Sequence, residues 1–432
     1  MYTIKEILQS EVTPALGCTE PVAVALCAAA AGSLLPNKHI KSIELWLSSN
    51  IFKNAYAVAI PGAHGAVGID LAAALGFFCG DPKLELQVLA PMNDDAIRTA
   101  NSFLKENLVK IHLSKDKPDI YIKCRLCSNT DSAEAVIEKT HNNLVSLNFN
   151  GETITDNPLL SEINKLRHSI ENLEVFLKKQ SLEEMLALVN QMDNDDYDFI
   201  RQGVEYNLKL AEHGLTFGDG LGVGKTLDRL IHEGLLQRDM ILSAKILTSS
   251  ACDARMYGVK LPAMSSAGSG NLGLTAILPV WAVKNHINTP DEKEVLKAIA
   301  LSHIITVYIK SYTGRLSAVC GCSVAAGSGA AAAIAYLMGG NLQQIAGAIK
   351  NLIGDLTGVI CDGAKASCAF KLATAAGAAV QAALFALHGL SVKETDGIIS
   401  FSPEQTMKNI GEISTEGMGQ TDNTIIKIMI NK

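Results

Sequence analysis

The chain has 432 residues, 48% of them apolar and 5% aromatic, with a formal net charge of −7. That length predicts two domains or one large one, and the weak acidity argues against nucleic-acid binding, which needs basic patches. Ten cysteines are too few for a disulfide scaffold, and the start, Met1-Tyr2-Thr3-Ile4-Lys5-Glu6-Ile7, lacks the basic n-region and apolar core of a signal peptide, so a cytoplasmic protein with reduced thiols is expected.

The first informative stretch is Thr13-Pro14-Ala15-Leu16-Gly17-Cys18-Thr19-Glu20-Pro21. A glycine turn leads into a helix start that Thr19 can cap, and Pro21 is tolerated in the first turn. A thiol at a helix N-terminus has its pKa lowered, which makes Cys18 a candidate catalytic thiolate; a lone buried cysteine would simply pack. Residues 22–35 then read as a helix, 39–47 and 56–60 as strands, 67–78 as a helix, 84–89 as a strand and 94–107 as a helix. Residues 109–113, 119–127 and 144–150 read as strands, with 133–140 a helix or edge element. Ser49, Asn50, Lys53 and Asn54 fall just past a predicted strand, where amide, hydroxyl and ammonium groups suit a carboxylate.

Past residue 159 the β signal almost disappears. Helical patterns cover 182–191, 199–214, 227–251, 292–312, 324–338, 342–356 and 368–388, broken by glycine-rich loops. The predicted fold is α+β: a mixed α/β domain over 1–160, then an all-α domain over 161–432. Residues 156–198 read as connecting helices. The tail 399–432 is mixed, and its loop-like segment 411–418 is placed to close over a site. The uncharged runs 324–340 and 372–387 fall short of the about 20 residues of a membrane span, lack aromatic belts and read as buried helices. Small-residue helices in this half point to a homodimer.

Gly218-Asp219-Gly220-Leu221-Gly222-Val223-Gly224-Lys225-Thr226 resembles a phosphate loop but lacks its first glycine, and a helix rather than a strand precedes it. A helix–helix turn is the better reading.

The remaining chemistry is in Val319-Cys320-Gly321-Cys322 and in Cys361-Asp362-Gly363-Ala364-Lys365-Ala366-Ser367-Cys368. Thiolates hold iron–sulfur clusters, and the loop between Cys361 and Cys368 is able to wrap a cube. A third ligand would come from Cys320 or Cys322, since both residues of a Cys-x-Cys rarely serve one cube. Asp362 and Lys365, inside this loop, suit either a hydrogen-bonding or a catalytic role, and His64 lies in the loop Gly62-Ala63-His64-Gly65.

Together these segments resemble the L-cysteine desulfidases, relatives of the bacterial iron–sulfur L-serine dehydratases. The resemblance rests on Gly17-Cys18-Thr19-Glu20-Pro21, on Ser49-Asn50-Ile51-Phe52-Lys53-Asn54 leading to Ile60-Pro61-Gly62, and on His141-Asn142-Asn143-Leu144-Val145. Ser265-Ser266-Ala267-Gly268-Ser269-Gly270-Asn271 and the two cysteine segments complete it. It implies a [4Fe–4S] cluster on Cys361, Cys368 and one of Cys320 and Cys322. It further implies substrate contacts from Ser49, Asn50, Lys53, Asn54, His141 and Asn271, with Cys18 as α-proton base. The implied reaction is β-elimination from a small amino acid, L-cysteine or alternatively L-serine, with no membrane or nucleic-acid partner. Two other classes were open to the residues alone: a helical membrane or binding protein whose cysteines only pack, and a pyridoxal phosphate enzyme, for which no phosphate cup with a Schiff-base lysine is found.

Overall fold

The computed structural model describes residues 2–114, 116, 117, 119–161, 172–288 and 291–431. Its helices are α1 (Ile4–Glu11), α2 (Thr19–Gly32), α3 (Ser49–Ala55), α4 (Ile69–Cys79), α5 (Asp94–Lys105) and α6 (Pro158–Ser161), then α7 (Leu182–Val189), α8 (Asn194–Phe217), α9 (Val223–His232), α10 (Met240–Tyr257) and α11 (Gly270–Val283). The last six are α12 (Glu292–Thr313), α13 (Gly321–Leu337), α14 (Leu342–Leu356), α15 (Cys368–Leu387), α16 (Pro403–Glu412) and α17 (Thr421–Ile430).

Six strands form one sheet in the N-terminal part: β2 (Ser42–Leu47), β3 (Val109–Leu113), β4 (Tyr121–Cys127), β5 (Ser132–Glu138), β6 (Leu144–Phe149) and β7 (Glu152–Ile154), in the order β3-β2-β4-β5-β6-β7. Only β2 and β3 run parallel, with Ile43 opposite Val109; the other pairs are antiparallel. Alternation in β2 turns Ile43, Leu45 and Leu47 inward. The alanine-rich α2 is buried along its whole length and lies on the sheet so closely that the Cys27 thiol donates to the Ala135 carbonyl at 3.3 Å. Its small side chains also admit α4, where a Cβ on Gly76 would strike the backbone of Ala25.

The helical part packs around α13, which touches α11, α12, α14 and α15. Among the described residues α12 and α15 are long and apolar enough to cross a membrane; 83% of the α12 apolar window and 56% of the α15 one are buried inside the protein. The chain's first residues join this part too. Ile4, Ile7 and Leu8 enter its core, and β1 (Pro14–Leu16) pairs with β8 (Pro262–Met264). The N-terminal strand thereby carries Cys18 from the helical core to the start of α2.

Several elements differ from the sequence reading. Residues 84–89 are no strand: Asp81 caps a 3-10 turn (Pro82–Gln87) with Pro at its start. Residues 133–140 hold β5, an interior strand whose small Ala133 and Ala135 fit beneath α2. Residues 227–251 are two helices, because Gly234 takes a φ of +74° and Asp239 caps a new start. Residues 56–60 contribute only a bridge between Ala59 and Val67. In the connecting stretch 156–198, residues 162–171 lie outside those described. The tail segment 411–418 is helical, with a π-turn over Ile413–Gly417.

Candidate functional site

One cavity, partly open to solvent, lies where the sheet-bearing and helical parts meet. All four downstream cysteines line it, together with Cys18. An antiparallel bridge between Val319 and Ile360 sets the two cysteine segments side by side. The Cys320 N–H donates to the Val359 carbonyl at 2.9 Å, and the Cys361 N–H to the Ala318 carbonyl at 2.7 Å. Cys320 is the N-cap of α13, and Cys368 is the first residue of α15. Among the described residues no three His, Cys, Asp or Glu side chains converge as ligands of one metal ion. The cysteines line a shared space instead.

Their electrostatics differ. Hydrogen bonds from the Cys322 thiol and the Ser323 hydroxyl draw Cys320 toward its thiolate, and Cys322 is pushed the other way. Burial pushes Cys361 up, and Cys368 to about 11. Cations surround them. Lys310 of α12 is buried, its ammonium donating to Ser317 Oγ at 3.2 Å, and burial pushes it down to about 8. Its Nζ lies 3.3 Å from where a Cβ on Gly321 would stand, which favours glycine between the two cysteines. Lys365 and Lys371 both donate to Asp362 Oδ1, at 2.6 and 2.5 Å, so these loop residues brace one another.

Across the cavity, Cys18 is the N-cap of α2, one residue earlier than Thr19, and is 3% exposed. Gly17 before it has a φ of +68° and lies against the Pro61 ring, leaving no room for a side chain. Burial, reinforced by the Glu20 charge, pushes the Cys18 thiol well up despite Arg255 nearby. The lowered pKa expected of a helix start is therefore not found: desolvation outweighs the helix field here.

Arg255, from the middle of α10, is 1% exposed. Its Nη1 donates to Asn271 Oδ1 at 2.9 Å and lies 3.9 Å from Cys18 Sγ, while Nη2 donates to the Gly17 carbonyl at 2.6 Å. Gly270 passes directly over the guanidinium, where any Cβ would collide with it. Neither Arg255 nor Lys310 has a carboxylate partner among the described residues.

The predicted substrate-binding residues are dispersed. Asn54 and Asn271 line the cavity, while Ser49, Asn50, Lys53 and His141 do not. Ser49, Asn50, Lys53 and Asn54 sit on α3, directly after β2. The buried Lys53 donates to Asp422 Oδ1 of α17 at 2.5 Å, and Asn50 to Asp119 at 3.3 Å. Gly363 of the cysteine loop abuts the Lys53 carbonyl. His141 is buried behind Glu20, its Nε2 3.8 Å from Glu20 Oε1. His64 is exposed and pairs with Asp94 at 3.0 Å. In the glycine-rich 218–226 loop the Gly224 N–H goes to the Asp253 carboxylate at 3.1 Å, so a protein group holds what a phosphate would need.

Sequence reasoning missed Arg255 and Lys310. The available signal was a charge on an otherwise small or apolar helix face, as in Ser249-Ser250-Ala251-Cys252-Asp253-Ala254-Arg255.

The family model described as serine dehydratase alpha chain matches residues 134–427, which include every downstream cysteine. The chain belongs to that family. A UPF0597 protein of Desulfotalea psychrophila is 55% identical over 429 residues, 99% of this chain and 98% of its own. Another, of Desulfatibacillum aliphaticivorans, is 53% identical over 100% of this chain and 98% of its own. One of Clostridioides difficile is 42% identical over 98% of each. Membership of the serine dehydratase alpha chain family makes the protein a serine dehydratase-like lyase of an iron–sulfur-associated group.

Proposed function

We propose that the protein catalyses β-elimination of L-cysteine to pyruvate, ammonia and sulfide, using a [4Fe–4S] cluster held by Cys320, Cys361 and Cys368. The observation that carries this reading is the single cavity on which these thiols, Cys18 and two cations without carboxylate partners all open. The donor set fits the group: soft thiols for iron, Lys310 and Lys371 to balance its negative charge, and a glycine at 363 that brings the loop against α3. Cys320 is preferred over Cys322 because the bridge at Val319 and Ile360 ties its backbone beside that of Cys361. When bound, a cube on three thiolates supplies one iron with an open position, a Lewis acid for the substrate carboxylate and β-heteroatom.

The chain's own residues do the rest. Cys18 Sγ takes the α-proton. Arg255, 3.9 Å away, stabilises the thiolate that does so. Asn54 and Asn271 orient the substrate at the cavity wall. Asn50 and Lys53 anchor α3, and with it Asn54, through Asp119 and Asp422, while the Lys53 carbonyl packs on the cysteine loop at Gly363. All ten cysteines are free, which suits a reducing compartment.

The test is anaerobic purification with iron and sulfide assays, followed by pyruvate release from L-cysteine and from L-serine. A brown protein releasing pyruvate and sulfide from cysteine is the expected result. An iron-free, colourless protein would overturn the cluster, and a preference for serine would overturn the substrate.

A further inference from the structure

We infer that the substrate carboxylate is held at the start of α11, by the unpaired N–H groups of that helix's first turn and by the Lys310 ammonium beside them. This deepens the proposed function, on which it rests, by naming the groups that recognise the acid end of an amino-acid substrate.

α11 runs for 14 residues, and Ser269, Asn271 and Leu272 bring its start to the cavity wall. The Ser269 hydroxyl caps none of its N–H groups, and among the described residues those of Gly270, Asn271 and Leu272 have no acceptor. This end of a helix carries partial positive charge and is a ready site for an anion. Cations add to it. The Arg255 guanidinium lies against Gly270, and its Nε is buried without a partner. Lys310 is 5% exposed, and the Ser317 hydroxyl is its one hydrogen-bond partner among the described residues. A Cβ on Gly321 would stand 3.3 Å from both Lys310 Nζ and Leu272 Cδ2, so the ammonium and the first turn of α11 meet across that glycine.

Two buried cations thus share one wall with the positive end of a helix, and like charges brought together out of water repel. Lys371 differs, because Asp362 already balances it. The place of Lys310 in the last turn of α12 favours its charge, yet a single hydroxyl partner leaves the ammonium with donors to spare. A carboxylate at this point relieves the repulsion and gives the free N–H groups their acceptor. It has two oxygens and about four acceptor sites, so contact with an iron still leaves acceptors for the protein. The contact is made on first encounter with the substrate, so its loss is read in binding affinity.

The test uses iron-loaded Cys18→Ala protein, in which turnover is stopped. Anaerobic calorimetry measures its binding of L-cysteine and of cysteamine, which has the same amine and thiol without the carboxylate. Adding Lys310→Met should weaken L-cysteine at least about tenfold, what one charge-assisted hydrogen bond contributes, and leave cysteamine within about threefold. Adding Ser269→Asp instead should also weaken L-cysteine and spare cysteamine, because the new carboxylate takes the free N–H groups, and aspartate is a good N-cap that preserves the fold. Iron content should match the Cys18→Ala protein in both. A structural role would weaken both ligands alike. Equal weakening of the two, no weakening of L-cysteine, or loss of iron from Lys310→Met would each overturn the proposal, the last by making the ammonium a support of the cluster alone. A Cys18→Ala enzyme that still turns over L-cysteine would instead remove the base assigned under the proposed function, and the carboxylate contact would then be read as an about tenfold rise in KM for Lys310→Met.

Discussion

Arg255 Nη1 lies 3.9 Å from Cys18 Sγ, across 237 positions of sequence. The same guanidinium bonds the Gly17 carbonyl and Asn271, so one buried side chain fastens the start of α2 to the helical part and sets the charge beside the thiol. Arg255→Met removes two charge-assisted hydrogen bonds, to the buried Gly17 carbonyl and to Asn271 Oδ1, and leaves the latter only the Cys252 thiol at 3.8 Å. Each such bond is worth roughly 1.5–3 kcal/mol, so a loss of about 3 kcal/mol is expected. Urea midpoints of parent and variant apoprotein measure it; a change below about 1 kcal/mol would mean that the guanidinium holds neither partner firmly.

Cys361→Ser and Cys368→Ser should each purify colourless, because an alkoxide replaces thiolate poorly on iron. Absorbance at roughly 400 nm, where thiolate-to-iron charge transfer falls, reads this directly. Cys320→Ser should bleach as well and Cys322→Ser should keep its colour. The reverse pattern would move the third ligand two residues along α13 while leaving the cavity assignment in place.

The helical part was legible in outline because its apolar periodicity and its breaks are both local: the boundaries expected for α14, Leu342–Leu356, coincide with those observed. β5 was not, since Ser132 to Glu138 is rich in alanine and glutamate, and only its place between β4 and β6 makes it a strand. The cysteines could be found because soft ligands at loop positions are rare and conspicuous. Arg255 and Lys310 could not. Their meaning depends on having no carboxylate partner, and that follows only from three-dimensional neighbours. Lys53 shows the converse. As a loop lysine after a strand it read as a carboxylate contact, yet the carboxylate it meets is Asp422, from the far end of the chain.

That pair has a consequence for the cysteine loop. Lys53 is fully buried, the Asp422 side chain is 17% exposed, and the Lys53 carbonyl packs on Gly363. Asp422→Asn strands a buried ammonium, a change that costs about 3–5 kcal/mol when the partner of a buried pair is removed. Loosening of α17 and α3 should follow, seen as faster proteolysis near residue 420 and faster iron loss to a chelator. Unchanged iron retention alongside unchanged proteolysis would show α17 to be a passive tail.

His303 sets an acid limit on stability. It is buried in α12, its Nδ1 is 3.0 Å from Ser266 Oγ, and Nε2 has no partner. Burial pushes its pKa down to about 3. The unfolded chain, with a histidine near pKa 6.5, binds a proton that the folded protein refuses. Stability is therefore fully present above about pH 6.5 and is lost as pH falls from there toward 3. Between pH 7.5 and 5 this one group removes about 2 kcal/mol. His303→Asn keeps a hydrogen-bonding group near the Nδ1 position but cannot titrate. Guanidinium midpoints across that range should fall less steeply in the variant than in the parent; His141, which burial also pushes down, adds to the fall in both, and Asp253, which burial pushes up to about 6, opposes it in both. Equal slopes in the two proteins would mean that His303 accepts its proton in the folded state, and that its unpartnered nitrogen is reached by water.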